Sequence, residues 1–475
     1  MITTLHQSSL RFLGAGAVLS LLLLIFLVSG RGSSLGFHGG QSGGYILKGS
    51  SSSPTCTKPA SSTNITQSDQ DWEFTPHRDA NNHALTFSQC LSAFPKLYTS
   101  IDDTANMHLE KNTPITFQNI DTLHKKGGID GNGNGLIRAA IVDGQLYIID
   151  FGPQPYTFSR GKATLHALNR ALTADPERGS LPNVEFVLST DDFTLGGMGA
   201  VWSYSKRVRS AETGSDGSDG DGKEEGKDDS SVWLVPDFGY WSWPEVHVGS
   251  YKDSRRRIAA IDGDKALKNG AGLHFHDKKK QLLWRGSVNS NPSIRQSLLS
   301  ATRGKSWSST REINWDDADS ESGKTDILPM EDHCAYQFLA HTEGRSFSGR
   351  GKYLLNCRSV IISHKLEWSE IHHGALIPSG PDANFVQVER DWSDLERKIE
   401  HLLDNPEVAE RIADNSVRTF RDRYLTPAAE SCYWRHLVRR YGEVCLFEPV
   451  LEESGKGGKG KVMRGVSFED WVLGF

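Results

Sequence analysis

Short apolar runs alternate with amphipathic stretches through two regions of this chain, roughly 85–275 and 276–425, and that alternation constrains the fold more than any other feature. Strands separated by helices favour parallel α/β sheets, because the crossover that returns a parallel strand is usually a helix. In the first region, residues 136–142 and 145–150 flank Asp143-Gly144 and read as a hairpin with a tight turn. Residues 86–101 carry apolar side chains at helical spacing around Cys90, residues 162–173 read as a helix, and residues 184–188 form a short apolar strand that opens onto the polar loop 189–192. In the second region, residues 281–284 and 359–363 read as strands and residues 350–357 as a short helix. Residues 393–403, 406–424 and 426–441 read as amphipathic helices, the first two started by Ser393 and by Asn405-Pro406.

At 475 residues the chain exceeds one ordinary core, so two domains with tails are expected. A net charge of -6 is too mild to point to nucleic acid or to an acidic substrate. Residues 12–30 contain no charged side chain. As a helix they span about 28 Å, close to the hydrocarbon core of a bilayer. They are expected to form a transmembrane signal-anchor behind a cytoplasmic tail, 1–11; the alternative is a cleaved signal peptide, whose apolar stretch is shorter. Arg11 and Arg31 flank the run too evenly to fix its orientation. Either reading sends the remainder into the secretory pathway, and the sequon at Asn64 and the six cysteines agree with an oxidising compartment. Residues 31–71, rich in Gly, Ser and Thr, read as a disordered stem, and the acidic low-complexity stretch 211–231 as a disordered insertion.

Three motifs fall short of the chemistry they suggest. Residues 130–135 open like an EF-hand calcium loop, but the twelfth position is Ile141 where a bidentate glutamate belongs. Residues 455–461 have P-loop spacing, but Val462 follows and no strand precedes them. Asp191-Asp192 and the aspartates within 216–221 suggest a metal-held diphosphate, yet the second group lies in the insertion, and no His or Cys cluster has zinc spacing. No metal site is therefore expected.

Two other loops carry a more coherent chemistry. Residues 344–349 deliver the start of the helix at 350, where free N–H groups favour an anion. Gly344, Gly349 and Gly351 permit close backbone approach, Ser348 offers a hydroxyl, and Arg345 and Arg350 offer bidentate phosphate contacts. Alone, such a loop is equally a surface loop with solvated arginines. A second loop, from Arg285, Gly286 and Ser287 to Arg295, also follows a strand and opens a helix with the same side-chain chemistry. Two cationic loops at one sheet edge suit a diphosphate. Asp192, just past a strand of the first region, could take a proton from an attacking hydroxyl. It could also be an ordinary loop aspartate.

The stretches at 181–193, 284–295, 331–357, 366–373 and 384–403 together resemble glycosyltransferase family 90. That family includes fungal capsule-associated xylosyltransferases and animal protein O-glucosyltransferases, and the resemblance covers about residues 72–448. It implies a GT-B-like fold: a Rossmann-type acceptor domain, 72–275, facing a nucleotide-sugar domain with closing helices, 276–448, followed by a tail, 449–475. It further implies inversion at the anomeric carbon without a metal or other cofactor. Asp192 takes the position of the catalytic base, Ser287 and Arg295 lie on the first donor loop with Arg285 and Gly286, and Ser348 and Arg350 lie on the second with Gly344 and Arg345. Cys334 and Cys357 match a family disulfide; Cys90 with Cys432 is a guess from their helical contexts, and Cys56 and Cys445 have no assigned partner.

The chain departs from the animal enzymes at Ile371-His372-His373, where they carry an aromatic pair, and at Gly349, where they carry Phe. Its fungal-type wording points towards glycan or lipid acceptors. The expected protein is a type II, Golgi- or ER-anchored inverting transferase moving xylose or glucose from UDP-xylose or UDP-glucose to a hydroxyl of a glycan, glycolipid or protein. The alternatives are a non-catalytic glycan-binding scaffold that kept the fold, and a glycoside hydrolase, which needs paired carboxylates and no nucleotide loops.

Overall fold

A computed structural model of the chain describes residues 72–126, 135–152, 155–194, 200–208, 229–243, 248–262, 272–313, 327–454 and 461–474. The expected anchor and stem, Asn64, Cys56, most of the calcium-like turn, most of the acidic insertion and all but the last residue of the P-loop-like run lie outside those residues. Among the described residues no helix is long and apolar enough to cross a membrane.

The first sheet holds β1 (Leu136–Val142), β2 (Gln145–Phe151), β3 (Val184–Ser189), β4 (Val201–Ser203) and β5 (Trp233–Leu234). The second holds β6 (Lys279–Gly286), β7 (Ser308–Glu312), β8 (Tyr336–His341), β9 (Val360–His364) and β10 (Val386–Val388). One more strand, β11 (Val466–Ser467), returns to the first sheet. The helices needed below are α1 (Phe87–Ala93), α2 (Thr99–Glu110), α3 (Pro155–Thr173), α4 (Tyr251–Ile261), α5 (Pro292–Thr302) and α6 (Gly351–Leu354). They continue with α7 (Leu395–Asp404), α8 (Pro406–Thr419), α9 (Pro427–Val444) and α10 (Phe468–Leu473).

The β1–β2 hairpin turns through Asp143 and Gly144 at φ 52° and 70°, the left-handed pair that a two-residue type I′ turn requires. That turn commits the sheet locally. β1 pairs antiparallel with both β2 and β3, and only β3, β4 and β5 run parallel. The order is β11-β2-β1-β3-β4-β5, a mixed sheet: the expected hairpin is present, and the parallel pairing expected of a Rossmann-type half is confined to β3, β4 and β5. The second sheet meets the expectation: its five strands are all parallel in the order β7-β6-β8-β9-β10. Counted along the chain, that order is 2-1-3-4-5, a doubly wound sheet whose direction of winding reverses between β6 and β8. Sheets of this kind bind ligands at the carboxyl ends of the two strands flanking the reversal.

Three boundaries differ from the sequence expectation. Helix α9, expected among the closing helices of the second domain, packs into the core of the first half. Its Tyr433 hydroxyl donates to the Leu234 carbonyl (2.8 Å), Glu430 pairs with Arg170 of α3 (2.6 Å), and Cys432 is disulfide-bonded to Cys90 of α1. The expected tail is folded too: β11 extends the first sheet beside β2, and Arg464 grips the Glu185 carboxylate of β3 (2.5 Å). Glu185 is fully buried and also takes Arg138 at 2.6 Å, so two arginines share the neutralisation of one core carboxylate, and losing both would strand it. The insertion ends earlier than residue 231. Asp229 is buried, and its carboxylate accepts the Thr194 hydroxyl and the Arg207 N–H, both at 3.0 Å.

Cys334 and Cys357 form the second disulfide, while Cys445 has no disulfide partner among the described residues and its thiol is pushed up by burial. One apolar core runs from the first sheet through Trp202, Trp434 and Tyr441 to Leu339 and Tyr353; a second lies wholly in the parallel half around Trp284, Phe338, Ile362 and Ile399. A short antiparallel ladder, Lys206–Arg207 against Trp368–Ser369, ties the halves together, and the Val208 N–H donates to the Glu367 carbonyl (2.7 Å).

Candidate functional site

Both cationic loops leave the carboxyl ends of β6 and β8, the two strands at the reversal. In the first loop the Ser287 hydroxyl accepts the Asn289 N–H (3.2 Å), and the Asn291 side chain caps α5, whose first residue is Pro292. The Asn291 amide also donates to the Gly344 carbonyl (3.0 Å), tying the loops to one another.

Arg295 sits one turn into α5 and is only 6% exposed. Its Nε donates to the Glu343 carbonyl (3.0 Å) and Nη1 to the Ser287 carbonyl (2.6 Å). The Arg350 guanidinium donates to the Arg285 carbonyl, and a side chain at Gly286 would come within 3.2 Å of it. The tighter limit there is the Trp284 ring, 2.9 Å from such a side chain, so Gly286 leaves room for both the indole and the guanidinium. Among the described residues neither guanidinium has a carboxylate partner. Burial, and for Arg295 the neighbouring charge of Arg350, pushes Arg295 down to about 9 and Arg350 to about 10. Both stay charged at neutral pH. Two neighbouring charged arginines without a carboxylate between them form a ready anion site.

The other expected donor residues divide. The Arg285 guanidinium is spent bracing β7, on the Ser309 carbonyl and hydroxyl, and it is its main-chain carbonyl that meets Arg350. Arg345 is exposed and forms no ion pair among the described residues. Ser348 is half-buried, and its carbonyl takes the Gly351 N–H (2.9 Å) at the start of α6. The Gly344 N–H closes the loop on itself, reaching the Ser346 carbonyl at 3.1 Å. Only residues 351–354 of the expected helix are α-helical, so its dipole is small and the arginine side chains supply the field.

Lys352, which the motif reading passed over, is fully buried and ion-paired with Asp237 of the first half (2.8 Å). Its ammonium also donates to the Gly349 carbonyl (2.8 Å) and lies over the rings of Tyr240, Trp243 and Tyr353. The loop carrying Arg350 is therefore pinned across the two halves.

The two adjacent aspartates diverge. Asp191 is buried with its carboxylate against Gly135, where any Cβ would lie 2.9 Å from Oδ2. The Asp192 side chain is 43% exposed, and Oδ1 accepts Arg160 Nη1 at 2.9 Å. Arg160, on α3, also donates to the Thr190 carbonyl (3.1 Å) and lies over the Phe238 ring at 4.9 Å, so it arrives at Asp192 pre-oriented. From the opposite half, the Ser346 hydroxyl donates to the Asp192 carbonyl. The second cationic loop and Asp192 thus meet directly. Neither Arg160 nor Ser346 belonged to the expected set. Ser346 could have been found as a hydroxyl in the donor loop; Arg160 has no linear signal, because only the packing of α3 brings it to Asp192.

Residues 223–463, slightly more than half of the chain, match the sequence model of glycosyl transferase family 90. The chain belongs to glycosyltransferase family 90. The matched span contains both loops and the Cys334–Cys357 bridge, whereas Asp192 lies before it. The chain is similar to an O-glucosyltransferase rumi homolog of Aedes aegypti, at 30% identity over 242 residues, 48% of this chain and 56% of that protein. It is similar to O-glucosyltransferase rumi of Drosophila melanogaster, at 27% over 204 residues, 40% of this chain and 47% of that protein. It also resembles human protein O-glucosyltransferase 1, at 28% over 114 residues, 24% of this chain and 28% of that protein. The chain thus spans about half the length, or less, of these relatives.

Proposed function

We propose that this family 90 chain is an inverting glycosyltransferase that moves a sugar from a UDP-sugar to an acceptor hydroxyl. The observation that carries the reading is the arginine pair, Arg295 and Arg350, without carboxylate partners, at the winding reversal of the parallel sheet and linked through Ser346 to the backbone of Asp192. With Oδ1 held by Arg160, Asp192 Oδ2 is left to accept the acceptor's proton. The freed oxygen attacks the anomeric carbon opposite the diphosphate, and that displacement inverts the centre. The bond to UDP breaks as the new one forms, and the charge developing on the departing phosphate falls to the two arginines. The outward divergence of Asp191 and Asp192 supports neutralisation by arginine over a cation held by an aspartate pair.

UDP-glucose and UDP-xylose are the candidate donors. The names of the relatives favour glucose and a protein acceptor; the fungal-type loop wording favours xylose and a glycan or lipid acceptor. A Golgi or ER membrane location through residues 12–30 belongs to the same proposal. The test is UDP release by the full chain from each donor, with an acceptor panel and in EDTA. Acceptor-dependent release supports transfer. Donor binding without release under any acceptor points to the non-catalytic glycan-binding reading.

A further inference from the structure

Next to the second donor loop, residues 370–373 bring together three metal-ligand side chains that the transfer mechanism does not use. Glu370, His372 and His373 each offer one ligand atom, and these atoms lie within 4.8 Å of one another. Glu370 and His372 are 3% and 1% exposed. Neither carboxylate oxygen of Glu370, nor Nε2 of His372, has a hydrogen-bond partner among the described residues. Buried polar atoms are nearly always paired, so three in one place call for a common partner.

The geometry suits a cation. Glu370 Oε2 lies 3.4 Å from His373 Nε2. Two donors on one tetrahedral zinc, with bonds of about 2.0–2.1 Å, sit at nearly that separation. The second ring nitrogen of His372, Nδ1, faces the Tyr240 hydroxyl at 3.5 Å, where a metal-bound histidine usually has its outer partner. A small cavity adjoins, its polar side formed by His341, His372, His373 and Ser363 and the rest of its wall apolar, with room for about one water. His341 Nδ1 is buried there, also without a partner among the described residues.

We propose that Glu370, His372 and His373 hold a zinc ion, with a water in the adjoining cavity completing a four-coordinate site beside His341. Imidazole with carboxylate is a borderline donor set that zinc favours over calcium or magnesium. One contact must yield: His373 Nδ1 accepts the Glu370 N–H at 3.2 Å. Coordination through Nε2 moves the ring proton to Nδ1 and exchanges that contact for a metal–nitrogen bond. The His341 ring packs on the first residue of α6, since a Cβ at Gly351 would lie 2.8 Å from it. The ion therefore braces the element that follows Arg350, and it is separate from the diphosphate. Spacing rules built on paired cysteines and histidines miss a Glu-x-His-His set.

The inference stands independently of the transfer reaction, and its test uses no activity assay. The full chain, purified without a histidine tag from zinc-supplemented cells, is assayed for metal content. It is then stripped with dipicolinate and titrated with Co²⁺. The expected result is near-stoichiometric zinc in the wild type, and a visible Co²⁺ d–d spectrum of four-coordinate strength that is lost in the near-isosteric Glu370→Gln variant. Folded wild-type protein that carries no zinc and takes up no Co²⁺ at micromolar concentration overturns the site. Wild-type zinc content in a folded Glu370→Gln variant overturns this ligand set.

Discussion

Replacing Arg350 with alanine separates the cost of holding a cation from its use. The guanidinium is desolvated without a carboxylate to repay it, and its charge also presses on Arg295. Its one polar contact given by the structure is to the Arg285 carbonyl. Losing that bond costs the free protein about 0.5–1.5 kcal/mol, while relief of burial and repulsion acts in the opposite direction. The melting temperature without ligand should therefore change little. Donor binding should change a great deal. A hydrogen bond to a charged group contributes about 1.5–3 kcal/mol, so the Kd for UDP should rise about 10- to 150-fold. At a UDP concentration 100 times the wild-type Kd, UDP stabilises the wild type by about 2.7 kcal/mol, and the variant by only about 0.3–1.4 kcal/mol. Thermal denaturation with and without UDP, in EDTA, reads all four states. Added Mn²⁺ should not restore the lost shift. A wild-type UDP shift in Arg350→Ala, or its rescue by Mn²⁺, would refute the arginine account.

The remaining expectations concern the base, the insertion and pH. Arg160→Ala should lower kcat about tenfold or more with the UDP Kd unchanged, because Arg160 orients Asp192 through its 2.9 Å bond; steady-state kinetics beside UDP calorimetry separate the two, and a change confined to Kd sinks the assignment. Replacing residues 210–227 by a short Gly-Ser link should leave activity and melting nearly unchanged, whereas Asp229→Ala should cost about 1–3 kcal/mol by stranding the Thr194 hydroxyl and the Arg207 N–H. Equal losses in the two variants, measured by urea denaturation, would contradict that boundary. Burial holds His333 and His364 at about 4, against an ordinary 6.5. The unfolded chain therefore takes up their protons first: their contribution is complete above pH 6.5 and is lost as pH falls towards 4, by at most about 3 kcal/mol each. Urea midpoints should drop steeply between pH 6.5 and 4, and flat midpoints there would rule this out.

What the sequence made legible was local. The β1–β2 hairpin is written in Asp143-Gly144, and the parallel half in apolar strands followed by loops and helix starts. Strand β8 has no clear pattern in sequence: its YQFLAH mixes polar and apolar residues, because both faces are covered and Gln337 finds a buried partner at the Phe275 carbonyl (2.9 Å). The return of α9 and β11 to the first half could not be read, since an amphipathic stripe does not say which sheet it covers and a two-residue strand has no periodicity. The donor loops were legible as chemistry, but not the direction of each arginine. Arg285 and Arg350 look equivalent in sequence, yet the first turns to β7 and only the second lies beside Arg295. The meeting of Asp192 with Arg160 and Ser346 depends wholly on packing between distant elements, as does the convergence of Glu370, His372 and His373 with His341.

The most direct test of the central claim is turnover by Asp192→Asn in EDTA, with donor binding measured on the same preparation. The amide keeps the shape and can still accept from Arg160, but it cannot take a proton from an acceptor. Loss of a general base lowers the rate about 10²- to 10⁴-fold. The account predicts that loss with UDP affinity unchanged, alongside a wild type that transfers from UDP-glucose or UDP-xylose in EDTA with inverted anomeric configuration. Near-wild-type turnover by Asp192→Asn, or a wild type silenced by EDTA and restored by Mn²⁺ but not by Zn²⁺, contradicts it.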